Sequence, residues 1–231
     1  MIIGNRGTGL MRGAAGAASF IDIAHNSSPF ITAYPWNNGF GAKYANPATL
    51  PGGDGLSMTF NSAGDTIAVG YQGSIFISVY PWNAGFGTKY ANPATLPTGI
   101  GNGVAFSPSG ADIAVAHNTS PFISVYPWSA GFGTKYADPA TLPTGNGNGV
   151  VFNQAGDTIA VAHATSPFIS VYPWSAGFGT KYANPGTLPV SDGNEVAFTS
   201  AGNALATGHN STPFISVYPW NAGFGTKYAN P

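Results

Sequence analysis

Four histidines and one tyrosine step through the chain at a constant interval, with His25, Tyr71, His117, His163 and His209 each 46 residues apart. Imidazoles at equivalent positions invite a metal reading. That reading needs two to four nitrogens within ~2.1 Å of one ion, and equivalent points in successive repeat units lie far apart unless they line a shared channel. These histidines close the second apolar stretch of each unit, which is not a channel-lining position. Two readings remain: a hydrogen-bonded structural histidine where units meet, and a ligand contact on the loops that follow.

Trp36, Trp82, Trp128, Trp174 and Trp220 keep the same interval, and each precedes a Gly-Phe-Gly or closely similar run. An aromatic beside glycine on a loop can stack a pyranose ring, so repeated carbohydrate sites are one expectation. Packing between units is the other. Burying an aromatic removes ~150 to 250 Å², which at ~25 cal/mol per Å² is roughly 4 to 6 kcal/mol gross, and this makes packing the stronger claim. Catalytic chemistry is poorly supplied. The chain has a single glutamate, Glu195, no pair of carboxylates placed for acid and base work, and no Gly-x-Ser-x-Gly turn. The Gly-Asn-Gly-Asn-Gly run at 145–149 resembles a phosphate loop only superficially, because it leads into a strand and lacks the lysine and helix such a loop needs. The expectation is a protein that is not an enzyme and needs no cofactor.

Composition narrows the partners. The 231 residues include seven Lys and Arg, carry a net charge of −1 and are only 6% charged, which leaves no basic footprint for a phosphate backbone. Nucleic acid is therefore not an expected partner. The absence of Cys removes disulfides, thiol catalysis and thiolate metal sites, and fits either redox compartment. The longest apolar runs are four or five residues, too short to insert in a membrane. Gly 33 and Pro 19 approach a low-complexity composition, but 15 Phe, 11 Tyr and 5 Trp supply a core that disordered chains lack.

The elements that position these residues follow from the 46-residue period. Each unit reads like the third: Gly-Val-Ala-Phe-Ser-Pro-Ser-Gly from Gly103, Asp-Ile-Ala-Val-Ala-His from Asp112, Pro-Phe-Ile-Ser-Val-Tyr-Pro-Trp from Pro121, and Phe-Gly-Thr-Lys-Tyr-Ala from Phe132. These are four short apolar stretches separated by turn-forming residues, rich in Val, Ile, Phe and Tyr, and they predict a four-stranded antiparallel meander. Alternation puts Ile123 and Val125 opposite to Phe122 and Tyr126, so each sheet is apolar on both faces and needs a neighbour on each side. Copies packed face to face around an axis meet that need. The expected fold is all-β: a five-bladed β-propeller of four-stranded antiparallel blades over residues 19–231.

Within that frame the third unit's Val-Ala-Phe-Ser-Pro-Ser-Gly, Ile-Ala-Val-Ala and Phe-Ile-Ser-Val-Tyr resemble the WD-repeat family of β-propellers. More narrowly, His-Asn-Thr-Ser-Pro-Phe-Ile-Ser-Val-Tyr with Ala-Asn-Pro-Ala-Thr-Leu-Pro-Thr-Gly is similar to WD-like repeats in predicted proteins of tailed bacteriophages and prophages. The family's Trp-Asp pair is absent, since Tyr126 and Pro127 stand in its place and the indole comes at Trp128. Its hydrogen-bond tetrad is therefore not carried over. The narrower resemblance implies a structural protein of a virion or extracellular surface assembly.

The first unit departs from the pattern. In register, Arg12 falls where Met58, Val104, Val150 and Val196 stand, and Ala14 falls where four Phe stand. Residues 1–18 are either a degenerate inner strand or an arm, with Arg6 and Arg12 the candidate assembly contacts. A secretory signal is disfavoured, because Arg12 and several Gly interrupt any apolar core. Asn26, Asn118 and Asn210 satisfy the glycosylation pattern. Lys43, Lys89, Lys135, Lys181 and Lys227 read as guards of an exposed sheet edge. Three functional readings follow: a structural and interaction module that binds other virion or assembly subunits, a multivalent lectin for cell-surface glycan, and a homo-oligomeric filament in which one chain's arm completes blade one of the next.

Overall fold

The computed structural model describes residues 10–11 and 19–231 of the chain; Arg6, Arg12 and most of the expected arm lie outside the described residues. Five antiparallel sheets follow one another. The first contains β1 (Leu10–Met11), β2 (Ser19–Ala24) and β3 (Ile31–Trp36), and the second β4 (Gly55–Phe60), β5 (Thr66–Tyr71) and β6 (Ile77–Pro81). The third contains β7 (Gly101–Phe106), β8 (Asp112–His117) and β9 (Ile123–Pro127), and the fourth β10 (Gly147–Phe152), β11 (Thr158–His163) and β12 (Ile169–Pro173). The fifth contains β13 (Gly193–Phe198), β14 (Ala204–His209) and β15 (Ile215–Pro219). The described residues contain no helix, and so none long and apolar enough to cross a membrane.

Each sheet has three strands where four were expected. The fourth stretch lies alongside the third strand but pairs only through an isolated bridge, such as Trp82 with Phe86. Two further bonds show why the ladder stops. Gly87 N donates to Pro81 O at 2.8 Å and Tyr90 N to Val79 O at 2.9 Å, so three residues of the outer stretch span two of β6. That is a bulge. Pro81 has no N–H to return, and every sheet repeats this proline.

In the first sheet β1 does stand at the inner position, but in a different register. Leu10 pairs with Ile21 and Met11 with Phe20, whereas the repeat would bring Ala14 opposite Ile21, as Phe60 is opposite Ile67. A shift of four residues replaces alanine with leucine in the pairing.

Strand alternation gives every sheet a forward and a rear face, and the forward face of one sheet packs on the rear face of the next. Ala24, Ile31 and Ala33 of the first sheet meet Met58, Phe60, Ile67 and Val69 of the second. Ile77 and Val79 then meet Val104, Phe106 and Ile113; Ile123 and Val125 meet Val150, Phe152 and Ile159; and Ile169 and Val171 meet Val196 and Leu205. Four seams of one design result. Glycines at the strand starts permit the approach, since a Cβ on Gly101 or Gly147 would overlap the Phe76 or Phe122 carbonyl oxygen.

The two outermost faces differ from the seams. On the forward face of the fifth sheet Ile215 is 39% exposed, whereas Ile31, Ile77, Ile123 and Ile169 are completely buried. On the rear face of the first sheet Ile21, Ile23, Tyr34 and Trp36 are all partly exposed, whereas their counterparts Ile67, Val69 and Tyr80 are fully buried. The described residues thus form five repeated blades whose two outermost faces are less covered than the seams between them. On the forward face of the fifth sheet exposed Glu195 stands where Gly103 and Gly149 let sheets approach.

Candidate functional site

His117, His163 and His209 close their second strands, and His25 directly follows β2. His117 and His163 are fully buried. His117 Nδ1 donates to the Thr119 carbonyl at 2.7 Å, which leaves Nε2 to accept the Ser124 hydroxyl at 3.1 Å. His209 repeats this with Ser211 O at 2.9 Å and Ser216 at 3.1 Å, and His163 Nε2 meets Ser170 at 3.0 Å. Burial pushes the His117 and His163 imidazoles down to about 4, so both are neutral at pH 7. A serine beside a histidine suggests a nucleophile, but these pairs lie beneath the surface, and among the described residues no carboxylate is bonded to the ring. Their product is a fixed loop. No three His, Cys, Asp or Glu among the described residues are grouped to hold a metal ion.

The indoles lie in the seams. Trp82, Trp128, Trp174 and Trp220 are between 5% and 7% exposed, and Trp36, in the first sheet, is partly exposed. Each buried indole meets a tyrosine from the preceding sheet edge-on. Centroid separations are 5.2 Å for Tyr44 with Trp82, 5.1 Å for Tyr90 with Trp128, 5.2 Å for Tyr136 with Trp174 and 5.2 Å for Tyr182 with Trp220. So placed they pack in the seams, while Trp128, Trp174 and Trp220 also border cavities at the surface.

What distinguishes one seam from another is the residue at the start of the second strand, facing that Tyr–Trp pair: Phe20, Thr66, Asp112 and Thr158 in turn. In the first seam Phe20 packs on Trp82 at 5.3 Å. In the third, the Asp112 carboxylate accepts the Tyr136 hydroxyl at 2.9 Å and the Trp174 indole N–H at 3.1 Å. Burial and the adjoining Asp112 charge push the Tyr136 phenol up to about 12. Thr66 and Thr158 are too short to make that bridge, and cavities open at both places. One of about 340 Å³ is lined by Asp65, Thr66, Tyr90 and Trp128. The other, about 780 Å³, is lined by Asp157, Thr158, Tyr182 and Trp220.

The residue preceding each threonine supplies a carboxylate. Asp65 Oδ1 accepts Asn61 Nδ2 at 2.7 Å and Thr66 Oγ1 at 3.0 Å; Asp157 Oδ1 accepts Asn153 Nδ2 at 2.7 Å and Thr158 Oγ1 at 3.0 Å. The equivalent of these aspartates in the third sheet is Ala111. Sequence reasoning missed this position because it weighed what repeats, and the informative signal was a pair of adjacent columns that change.

The remaining motifs resolve into scaffolding. Asn148 of the Gly-Asn-Gly-Asn-Gly run donates across a seam to Gly193 O at 2.8 Å, as Asn102 does to Gly147 O at 2.9 Å. Of the glycosylation candidates, Asn26 and Asn210 are exposed and Asn118 is half-buried, its Oδ1 accepting Ile100 N at 2.9 Å. Each outward lysine meets the side chain three residues on, as Lys89 meets Asn92 and Lys135 meets Asp138.

No family model matches the chain, and no curated protein does. Among solved structures it is similar to Kuenenia stuttgartiensis hydrazine synthase, with a TM-score of 0.55 at 14% identity over 80% of this chain and 49% of that one. The chain thus spans about half the length of that structure, and at this identity the likeness speaks for the all-β fold alone.

Proposed function

We propose that the chain is a non-enzymatic structural and interaction module of β-propeller type, and that its two open end faces join it to a second copy of itself. The observation that carries this reading is the exposure of Ile215 on the last forward face, together with the half-exposed Ile21, Ile23, Tyr34 and Trp36 on the first rear face. These are the two halves of the contact made four times within the chain. Single sheets that are apolar on both sides gain by pairing forward face to rear face, and each fully buried Ile or Val contributes about 1.5 to 3 kcal/mol. A heterologous contact of this kind closes a ring or extends a filament. The WD-like wording of the repeat agrees with a ring-forming module, and a part in a virion or surface assembly agrees with the low surface charge.

Light scattering across a range of concentrations tests the reading. The expected result is a mass that is a multiple of the chain's own, reduced to one chain by Ile215→Asp. A single-chain mass at every concentration, with no change on Ile215→Asp, would sink it. Electron micrographs of the associated material then separate closed rings from filaments.

A further inference from the structure

The four seams are built alike but are filled differently, and the difference has the form of a ligand. In the third seam two donors, the Tyr136 hydroxyl and the Trp174 indole N–H, converge on one acceptor, the Asp112 carboxylate. The Tyr–Trp pairs of the second and fourth seams hold the same geometry, with ring planes 89° and 90° apart against 88° in the third. In these two seams Thr66 and Thr158 stand where Asp112 accepts in the third. Among the described residues neither the Tyr90 and Tyr182 hydroxyls nor the Trp128 and Trp220 indole N–H groups form a hydrogen bond. The cavities at both seams fall within the ~300 to 1,000 Å³ typical of small-molecule sites.

We propose that the second and fourth seams are binding sites for a neutral polyol such as a monosaccharide, and that Asp112 is the built-in occupant of the equivalent site in the third seam. The charge pattern selects a neutral ligand. Asp65 and Asp157 each hold Oδ1 in two bonds within the turn, which leaves Oδ2 to accept from a guest. One hydroxyl of a diol accepts from the tyrosine and tryptophan while its neighbour donates to the aspartate. A guest carboxylate would stand against that aspartate instead. The third seam obeys the same rule: where Asp112 provides the acceptor charge, Ala111 replaces the aspartate beside it. The first seam, closed by Phe20 against Trp82, takes no guest. Recognition here runs through the edges of the aromatic rings rather than through stacking on the indole face.

The five indole N–H signals in the nitrogen–proton NMR spectrum of the labelled full chain test this seam by seam. Glucose, galactose, mannose and N-acetylglucosamine are each titrated to about 50 mM, which detects dissociation constants in the millimolar range. For at least one sugar the Trp128 and Trp220 signals shift and the Trp174 signal does not. Thr66→Asp with Thr158→Asp supplies the internal acceptor and weakens binding at least tenfold. Ala111→Asp with Asp112→Thr recreates an open seam and makes Trp174 respond, a gain that a misfolded variant does not give. Silence of all five signals with all four sugars overturns the proposal. So does an equal response of Trp174 in the unaltered chain, or glucuronate binding more tightly than glucose. The proposal does not depend on association between copies, which leaves the seams inside each chain intact.

Discussion

Asp22 occupies the position that the other four sheets give to Ala68, Ala114, Ala160 and Ala206. Its carboxyl is fully buried, and neither oxygen has a hydrogen-bond partner among the described residues. Burial raises it from 3.8 to about 6, so the folded chain holds a proton between those values that the unfolded chain has released. Stability contributed by that proton is present at low pH and lost as pH rises through about 6. Asp22→Ala is therefore expected to stabilise the protein at pH 7.5 by up to about 3 kcal/mol, with the gain shrinking at pH 5. Thermal unfolding at the two pH values measures it, and a loss of stability at pH 7.5 would instead reveal a cation paired with Asp22. His117 and His163 act in the opposite sense. Each is lowered from 6.5 to about 4, so the unfolded chain binds protons in that window that the folded chain refuses, and stability falls as pH drops from 6.5. The full effect is roughly 3 kcal/mol for each histidine. Tyr71 fills the same position in the second sheet, so His117→Tyr with His163→Tyr should flatten the acid limb of the melting-temperature profile. A profile as steep as the wild type's would show that other groups set it.

The strand starts carry the approach between sheets, and there a single atom decides. A Cβ on Gly147 would overlap the Phe122 carbonyl oxygen, which already accepts His117 N at 3.0 Å. Phe122 itself is held at a φ of 69°, a left-handed conformation rare for a bulky residue, so the carbonyl has little freedom to retreat. Gly147→Ala should cost about 3 kcal/mol or more, whereas Gly131→Ala, with nothing within 4 Å of the added carbon, should cost far less. Chemical denaturation of the two variants compares them directly. The same elements show what the sequence could reveal. The first three stretches of each unit were legible as strands because alternation at Ile123, Ser124, Val125 and Tyr126 is a local property. The fourth stretch was not, because its failure to pair depends on a one-residue slip against Val79 that only the tertiary contact exposes. Likewise the tryptophans were legible as seam packing from their size, while Asp112 gained its role only from Tyr136 and Trp174, 24 and 62 residues away.

At the scale of the molecule, each sheet touches its sequence neighbours, so stability is approximately a sum of sheet and seam terms. Among the described residues the third sheet gains from two seams, whereas the fifth gains from one. This predicts a gradient in native-state hydrogen exchange: amides of β14 and β15 open at lower free energy than those of β8 and β9. The gradient also reports on association. If a second copy covers the face that contains Ile215 and Val217, protection in β14 and β15 rises with protein concentration, because anything bound only to the folded state stabilises it by mass action. The third sheet, already covered on both sides, gains little. Ile215→Asp should hold the fifth sheet at its low-concentration protection throughout, because a charge brought into an apolar seam has no partner there. Equal protection in the third and fifth sheets of a dilute sample would require a cover from within the same chain, and the end faces would then be meeting each other rather than a second copy.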